Sequence, residues 1–273
     1  MDTGAVLAAY DQQVRGAGGG LRVPVGRLER VSLPHGALVL RHLVGEDQAS
    51  VIWADLAGLD GTGVADVVAA EAAAARARGL RLEWKHYGHD RPADLPGRLV
   101  AAGFAAQPAE ALLVAETAQV CGLSGPGLPA GVVLEEVMDV EALAAVAAVA
   151  AQAFDEDPAG AEHRQQYAEL GEQLRAAPQS LAIVLVRAGG EPVGEGRVEF
   201  PPSGEFAGLW GGGIVPAWRG RGLYRATVGY RAALAGRRGY RYLTVDALPT
   251  SAPILARLGF VELTTTTPFL LVA

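Results

Sequence analysis

The chain has almost no cysteine. Cys121 stands alone among 273 residues, which excludes a disulfide within the chain and fits a reducing compartment. Long apolar runs are scarce too. The longest, Ala142 to Ala151, is too short to span a bilayer. No basic stretch followed by an apolar core opens the sequence, where Asp2 and Asp11 stand instead, so no secretory leader is expected. These absences predict a cytoplasmic protein without membrane contact. No Gly-x-x-x-x-Gly-Lys segment occurs, so a P-loop nucleotide hydrolase is unsupported. Net charge is −7, which argues against a general nucleic-acid binder.

Acidic residues are also absent from Ala217 to Val245, a stretch that carries Arg219, Arg221, Arg225, Arg231, Arg237, Arg238 and Arg241. A positive field in an acidic protein implies an anionic ligand, or else a solvated arginine face. The segment Gly211-Gly-Gly-Ile-Val-Pro-Ala-Trp-Arg-Gly-Arg-Gly-Leu-Tyr224 leads into it. It predicts a strand stopped by Pro216, a glycine- and arginine-rich turn, and a helix starting near Gly222. Gly220 and Gly222 let the main chain approach a bulky anion, and the first N–H groups of the helix face it. Arg219 and Arg221 add full charges. This is a pyrophosphate site by its chemistry.

With half its residues apolar, a chain of this length can build one large domain or two ordinary ones. The segment Gly122–Gly131 is rich in proline and glycine and predicts a linker at 121–130. Its two sides repeat each other weakly. Gly79-Leu-Arg-Leu-Glu-Trp84, Leu95–Phe104 and Ala111–Val114 precede it. Gly239-Tyr-Arg-Tyr-Leu-Thr244, Pro253–Phe260 and Phe269–Val272 follow it. Each set predicts strand, short helix ending in Gly-Phe, strand, after an Ala/Arg helix at Gly63–Arg78 or Gly222–Arg238. Duplication of one domain is the expectation, with boundaries 1–120 and 131–273. Further expected elements are a helix at Met1–Val14 and strands at Val51–Asp55, Arg81–Lys85, Val132–Val137, Leu181–Arg187, Pro192–Phe200, Phe206–Val215 and Tyr240–Asp246. Helices are expected from Asp139 to Phe154, at Ala161–Ala176 and at Ser251–Leu258.

Strand, Val-Pro-Ala-Trp-Arg-Gly-Arg-Gly-Leu-Tyr224, Ala/Arg helix, strand and a closing Leu258-Gly-Phe-strand resemble the GCN5-related N-acetyltransferase (GNAT) superfamily over about 131–273. The resemblance implies an α/β (α+β) fold of two tandem GNAT-like domains, each a mixed, splayed central sheet flanked by helices. It implies acetyl-CoA as co-substrate, with pantetheine along Gly212, Gly213, Ile214 and Val215. The pyrophosphate would lie on Arg219, Gly220, Arg221, Gly222, Leu223 and Tyr224. It implies acetyl transfer to a primary amine of a small molecule. Three positions depart from the family pattern. The first motif position is Ala217, the tyrosine that usually protonates the thiolate falls on Leu255, and a frequent base glutamate falls near Gly208. Residues 1–120 resemble a degenerate copy, with Asp60 and Asp66 where arginines would stand; carboxylates there repel a pyrophosphate.

Direct attack by an amine needs no nucleophilic residue. Glu195, Arg197 and Glu199 alternate on one strand face. Glu199 is the expected base, and with Glu195 it could instead bind the substrate ammonium. Ser251 and Tyr224 are the candidate acids, Ser251 also suiting a helix cap or a bond to pantetheine. The oxyanion donor is expected at the backbone N–H of Gly213–Ile214. Gly211–Gly213 either clear side chains from the thioester or mark a bulge. Asp155-Glu-Asp157 forms an acidic loop that would attract a cationic amine or simply be solvated. His86 and His89 lack a distant third ligand, so no metal is expected. Gly61-Thr-Gly63 imitates a dinucleotide fingerprint whose third glycine is Asp66. The competing function is a non-catalytic acyl-CoA-binding or scaffold protein. A monomer is favoured over a dimer, because the first half occupies the surface a partner subunit would use.

Overall fold

The computed structural model describes residues 1–16, 26–44, 47–124 and 127–271. Contacts divide the chain into two compact units. One is 1–113 with 246–253 and 262–273; the other is 114–245 with 254–261. The units therefore do not follow the segments 1–120 and 131–273 throughout. The expected linker includes 125 and 126, and the expected closing strand ends at 272; these three positions lie outside the described residues.

In the first unit the elements are α1 (Thr3–Gln13), β1 (Arg27–Ser32), β2 (Leu38–Val44), β3 (Gln48–Asp55), α2 (Gly61–Arg78), β4 (Arg81–Tyr87), α3 (Leu95–Ala101), β5 (Phe104–Ala106) and the start of β6 (Glu110–Glu116). Antiparallel pairing joins β1 to β2 and β2 to β3, and β3 runs parallel to β4. Helix α2 stands between an Asp60 cap and Gly79 in the left-handed region, φ 65°. It buries Val64, Val67, Val68 and Ala72 against Val39, Val51, Trp84 and Leu99. Within this core Arg41 makes two bonds to Glu71, Nε to Oε1 at 2.9 Å and Nη2 to Oε2 at 2.7 Å. The fork-to-carboxylate geometry compensates both charges.

The second unit continues through α4 (Thr117–Val120), β7 (Val132–Glu136), α5 (Leu143–Phe154), α6 (Ala161–Ala176), β8 (Leu181–Ala188), β9 (Glu191–Glu199), β10 (Phe206–Trp210), α7 (Leu223–Arg237) and β11 (Tyr242–Ala247). Its order of pairing is β7, β8, β9, β10, β11, antiparallel except for the parallel pair β10 and β11. The uninterrupted apolar run of β8 follows from burial on both faces: Leu181, Ile183, Leu185 and Val186 are all in the core. Helix α5 packs Val146 and Val149 there. The Asp139 carboxylate accepts from the N–H of Ala142 at 2.8 Å, as expected of a capping residue, and regular helix begins about one turn later, at Leu143.

After α8 (Ala252–Arg257) comes β12 (Val261–Leu271), longer than the expected strand. It pairs antiparallel with β4 from Thr266↔Tyr87 to Leu270↔Glu83, and with β5. Phe269 enters the first unit's core. Asp246 also belongs to that unit, where it accepts from Lys85 Nζ at 2.6 Å and Thr266 Oγ1 at 2.9 Å. Among the described residues no helix is long and apolar enough to cross a membrane.

Candidate active site

The expected strand Phe206–Val215 is broken. Pairing of β10 with β9 runs from Gly208↔Glu199 to Trp210↔Arg197 and resumes only as a single bridge, Ile214↔Gly194. One extra residue is accommodated between, which makes a β-bulge. Gly211 and Gly212 adopt φ of 61° and 96°, a region closed to most side chains. Space is as restrictive as torsion. A Cβ on Gly211 would meet Glu195 Oε2 at 2.9 Å, and one on Gly213 would meet Ala153 Cβ at 2.6 Å. Among the described residues β10 and β11 pair no further than Gly208↔Thr244, although β10 runs on to Trp210 and β11 to Ala247, so the parallel strands splay.

The bulge wraps a carboxylate. Gly212 N–H and Gly213 N–H both donate to Glu195 Oε1, each at 3.1 Å. Glu195 is 3% exposed. Burial pushes its carboxyl above the ordinary glutamate range, against the pull of the Gly213 bond, the Arg231 charge, the Gly212 bond and the Arg197 charge. Arg231 is buried as well. It donates to the Thr227 carbonyl at 3.1 Å through Nε, and through Nη1 to the carbonyls of Arg197 at 3.0 Å and Trp210 at 3.2 Å. It is thus withdrawn from the surface field that the arginine-rich stretch implied. Tyr224 lies within reach of a Cβ on Gly212, 3.2 Å away, and burial raises its phenol pKa.

A cavity of about 120 Å³ opens beside Glu195. Its wall includes Arg197 of β9, Trp210 of β10 and Gly211 just after it, Phe154 at the end of α5, Glu156 beyond that helix, and Tyr167 of α6. Glu156 pairs with His163 Nδ1 at 2.9 Å, and His163 packs on the Tyr167 ring with centroids 4.8 Å apart. Burial raises the Tyr167 phenol pKa, so it stays neutral.

The residues singled out from sequence separate accordingly. Gly212 and Gly213 border the buried carboxylate, and the Gly213 N–H expected to serve an oxyanion is engaged by Glu195. Glu199 does not line the cavity; its Oε1 lies 3.1 Å from Arg197 Nε in an ion pair. Ser251 donates to the Leu248 carbonyl at 3.2 Å and groups with the first unit. Arg219 is closed onto main-chain carbonyls, Nε to Ile214 at 3.0 Å and Nη2 to Ala153 at 2.7 Å. Arg221 stays exposed, 4.5 Å over the Trp218 ring. Ile214, Val215 and Leu223 are core residues. His86 meets Phe269 edge to face and His89 pairs with Asp11; among the described residues no cluster suited to a metal occurs. The burial of Glu195 and of Arg231 gave little sequence signal: Glu195 showed only in the alternation of charge along β9, and Arg231 only as one of the arginines of the acid-free stretch.

The turn before α7 fits a diphosphate. Gly220 and Gly222 have φ of 74° and 78°, and added Cβ atoms would meet open space among the described residues. Gly222 caps α7 without a side chain, leaving the first N–H groups available. The equivalent turn of the first unit is closed by its own carboxylate: Asp60 Oδ1 accepts from Gly63 N–H at 2.8 Å. There, β3 and β4 pair only as far as Val51↔Trp84. Just past that point Arg15 Nε donates to the Ile52 carbonyl at 3.3 Å, with its guanidinium 3.8 Å over the Tyr87 ring.

Solved structures share this architecture. The chain is similar to a GCN5-related N-acetyltransferase from Kribbella flavida at 20% identity and TM-score 0.67, covering 99% of this chain and 94% of that one. A tandem GNAT protein from the clavulanic acid biosynthesis pathway matches at 16% identity and TM-score 0.65, over 98% and 95% of the two chains. A third, from Sphaerobacter thermophilus, matches at 19% and 0.63, over 98% and 91%. No protein-family model and no curated protein matches the sequence. The chain has the GNAT fold, with the mixed sheet, the splay and the flanking helices expected of it.

Proposed function

We propose that the second unit moves an acetyl group from acetyl-CoA to a primary amine of a small molecule. The coenzyme would supply the activated acyl group as a thioester. Gly220, Gly222, the first turn of α7 and Arg221 would hold its diphosphate through main-chain N–H groups and one exposed guanidinium. Arg219 would act indirectly, by fixing the turn to the end of α5 and to Ile214.

Glu195 would be the base. A buried carboxylate with a raised pKa is better matched to an amine proton than an exposed one. The two glycine N–H bonds and the Arg231 charge keep it ionisable in spite of burial. Tyr224 would be the acid that returns a proton to the leaving thiolate, since burial keeps the phenol protonated. The observation that carries this reading is the Glu195 carboxylate seated in the bulge at the cavity wall. Incubation with acetyl-CoA and a panel of primary amines should release free thiol in step with amine acetylation. A protein that gains thermal stability from CoA but releases no thiol with any amine is a binding module, and this reading fails.

A further inference from the structure

The geometry points to a free amino acid as the acceptor, recognised by its carboxylate at Arg197; this rests on the acetyltransferase reading of the same cavity. Glu195 and Arg197 are alternate residues of β9 and share a face, roughly 7 Å apart along the strand. Both line the cavity. One presents a carboxylate to an amine, the other a guanidinium. A substrate with amine and carboxylate one carbon apart satisfies both at once, whereas a plain amine leaves the guanidinium with no anionic partner on the substrate.

The Arg197 charge acts on Glu195 and Tyr167, but among the described residues its guanidinium makes no aligned hydrogen bond. Among the described residues its only close ion pair is to Glu199, and Nε, although 3.1 Å from that oxygen, is a buried donor without an aligned hydrogen bond. Its side chain is 19% exposed. The guanidinium also lies 5.9 Å from the centroid of the Trp210 ring, another residue of the cavity wall. A second cationic group on the acceptor would find Glu156, but that carboxylate is committed to His163. The rest of the wall mixes aromatic and aliphatic groups, Phe154, Tyr167 and Leu170 among them, with the amide side chain of Gln166. With a volume of about 120 Å³, the cavity is well below the several hundred Å³ typical of drug-sized ligands. That size suits a compact amino acid better than a peptide.

The test compares amino acids with their primary amides, L-leucine against L-leucinamide and L-alanine against L-alaninamide. The amide is nearly isosteric and its amine is the weaker base, so a difference in amine basicity works against the expected result. In the native protein kcat/KM should favour the acid at least 10-fold, through KM. Calorimetry on the CoA-bound protein should show the same preference in binding, which needs no turnover. In Arg197→Gln the acid-to-amide ratio should fall about 10-fold, and Arg197→Lys should restore part of it. Equal kcat/KM for acid and amide in the native protein, or a ratio unchanged in Arg197→Gln, overturns the inference. Acetylation of simple amines with no preference for acids overturns it while the acetyltransferase reading stands. Absence of thiol release with every amine defeats that reading instead, and calorimetry then decides the carboxylate site by itself.

Discussion

Glu195 holds opposed electrostatic demands within one side chain. Burial favours the neutral acid; two glycine N–H groups and two arginines favour the anion, and burial prevails. A carboxyl with a folded pKa above its unfolded value binds its proton more tightly in the folded state. Its contribution to stability is therefore fully present below the ordinary glutamate range and is lost as pH rises through the raised value. Glu195→Gln should flatten that segment of the stability profile, read as urea midpoints across acidic to neutral pH. The same change should lower kcat/KM by about 10²–10⁴, and the native acid limb should lie above the ordinary glutamate range. A variant with the native rate removes Glu195 as the base. Arg219 and Arg221 make a second contrast. Arg221→Ala should weaken CoA binding about 10-fold with little change in melting temperature, as for one charge-assisted contact. Arg219→Ala should lose about 1–3 kcal/mol of stability, because it leaves the carbonyls of Ile214 and Ala153 short of a donor. Calorimetry paired with thermal melting separates the two, and equal effects of both substitutions on binding alone contradict the assignment.

At the level of elements, the decisive feature is a strand that stops early. Three consecutive glycines were compatible with a bulge or with clearance for a ligand. The bulge is observed, and its crowding comes from inside the protein: Glu195, Tyr224, Arg231, Ala153 and Phe154 all lie against the positions where side chains would start. Gly213→Ala should cost about 1–3 kcal/mol through overpacking, measured by chemical denaturation; a native-like midpoint shows that α5 can yield. Helices α2 and α7 show what a cap decides. Both follow a strand and a glycine turn. Asp60 caps α2 with a carboxylate, while Gly222 leaves the start of α7 open. That difference was legible in the sequence, because Asp60 and Gly222 declare themselves by residue type. The strands β1 and β2 were not anticipated, and β2, Leu38-Val-Leu-Arg-His-Leu-Val44, shows why: Arg41 sits mid-strand, and its burial is tolerable only because distant Glu71 meets it.

The whole molecule is assembled against the order of its chain. The closing strand β12 pairs with β4 and β5, and contributes Phe269 beside Trp84. Ending the chain at Val261 should therefore open the first unit. Limited proteolysis should then cleave within 1–113, and continued resistance there means the strand is dispensable. By itself the sequence determined the main helices, the glycine turn and the open cap of α7, because capping, periodicity and backbone torsion are local properties of neighbouring residues, while the splayed α/β architecture was implied by the family resemblance of the glycine-turn motif. Only the tertiary structure decided that Glu195 rather than Glu199 borders a cavity, that Arg219 and Arg231 are spent on carbonyls, and that the last strand groups with the first unit. Those outcomes depend on burial and on partners far away in the chain, and no local pattern encodes the distance between them.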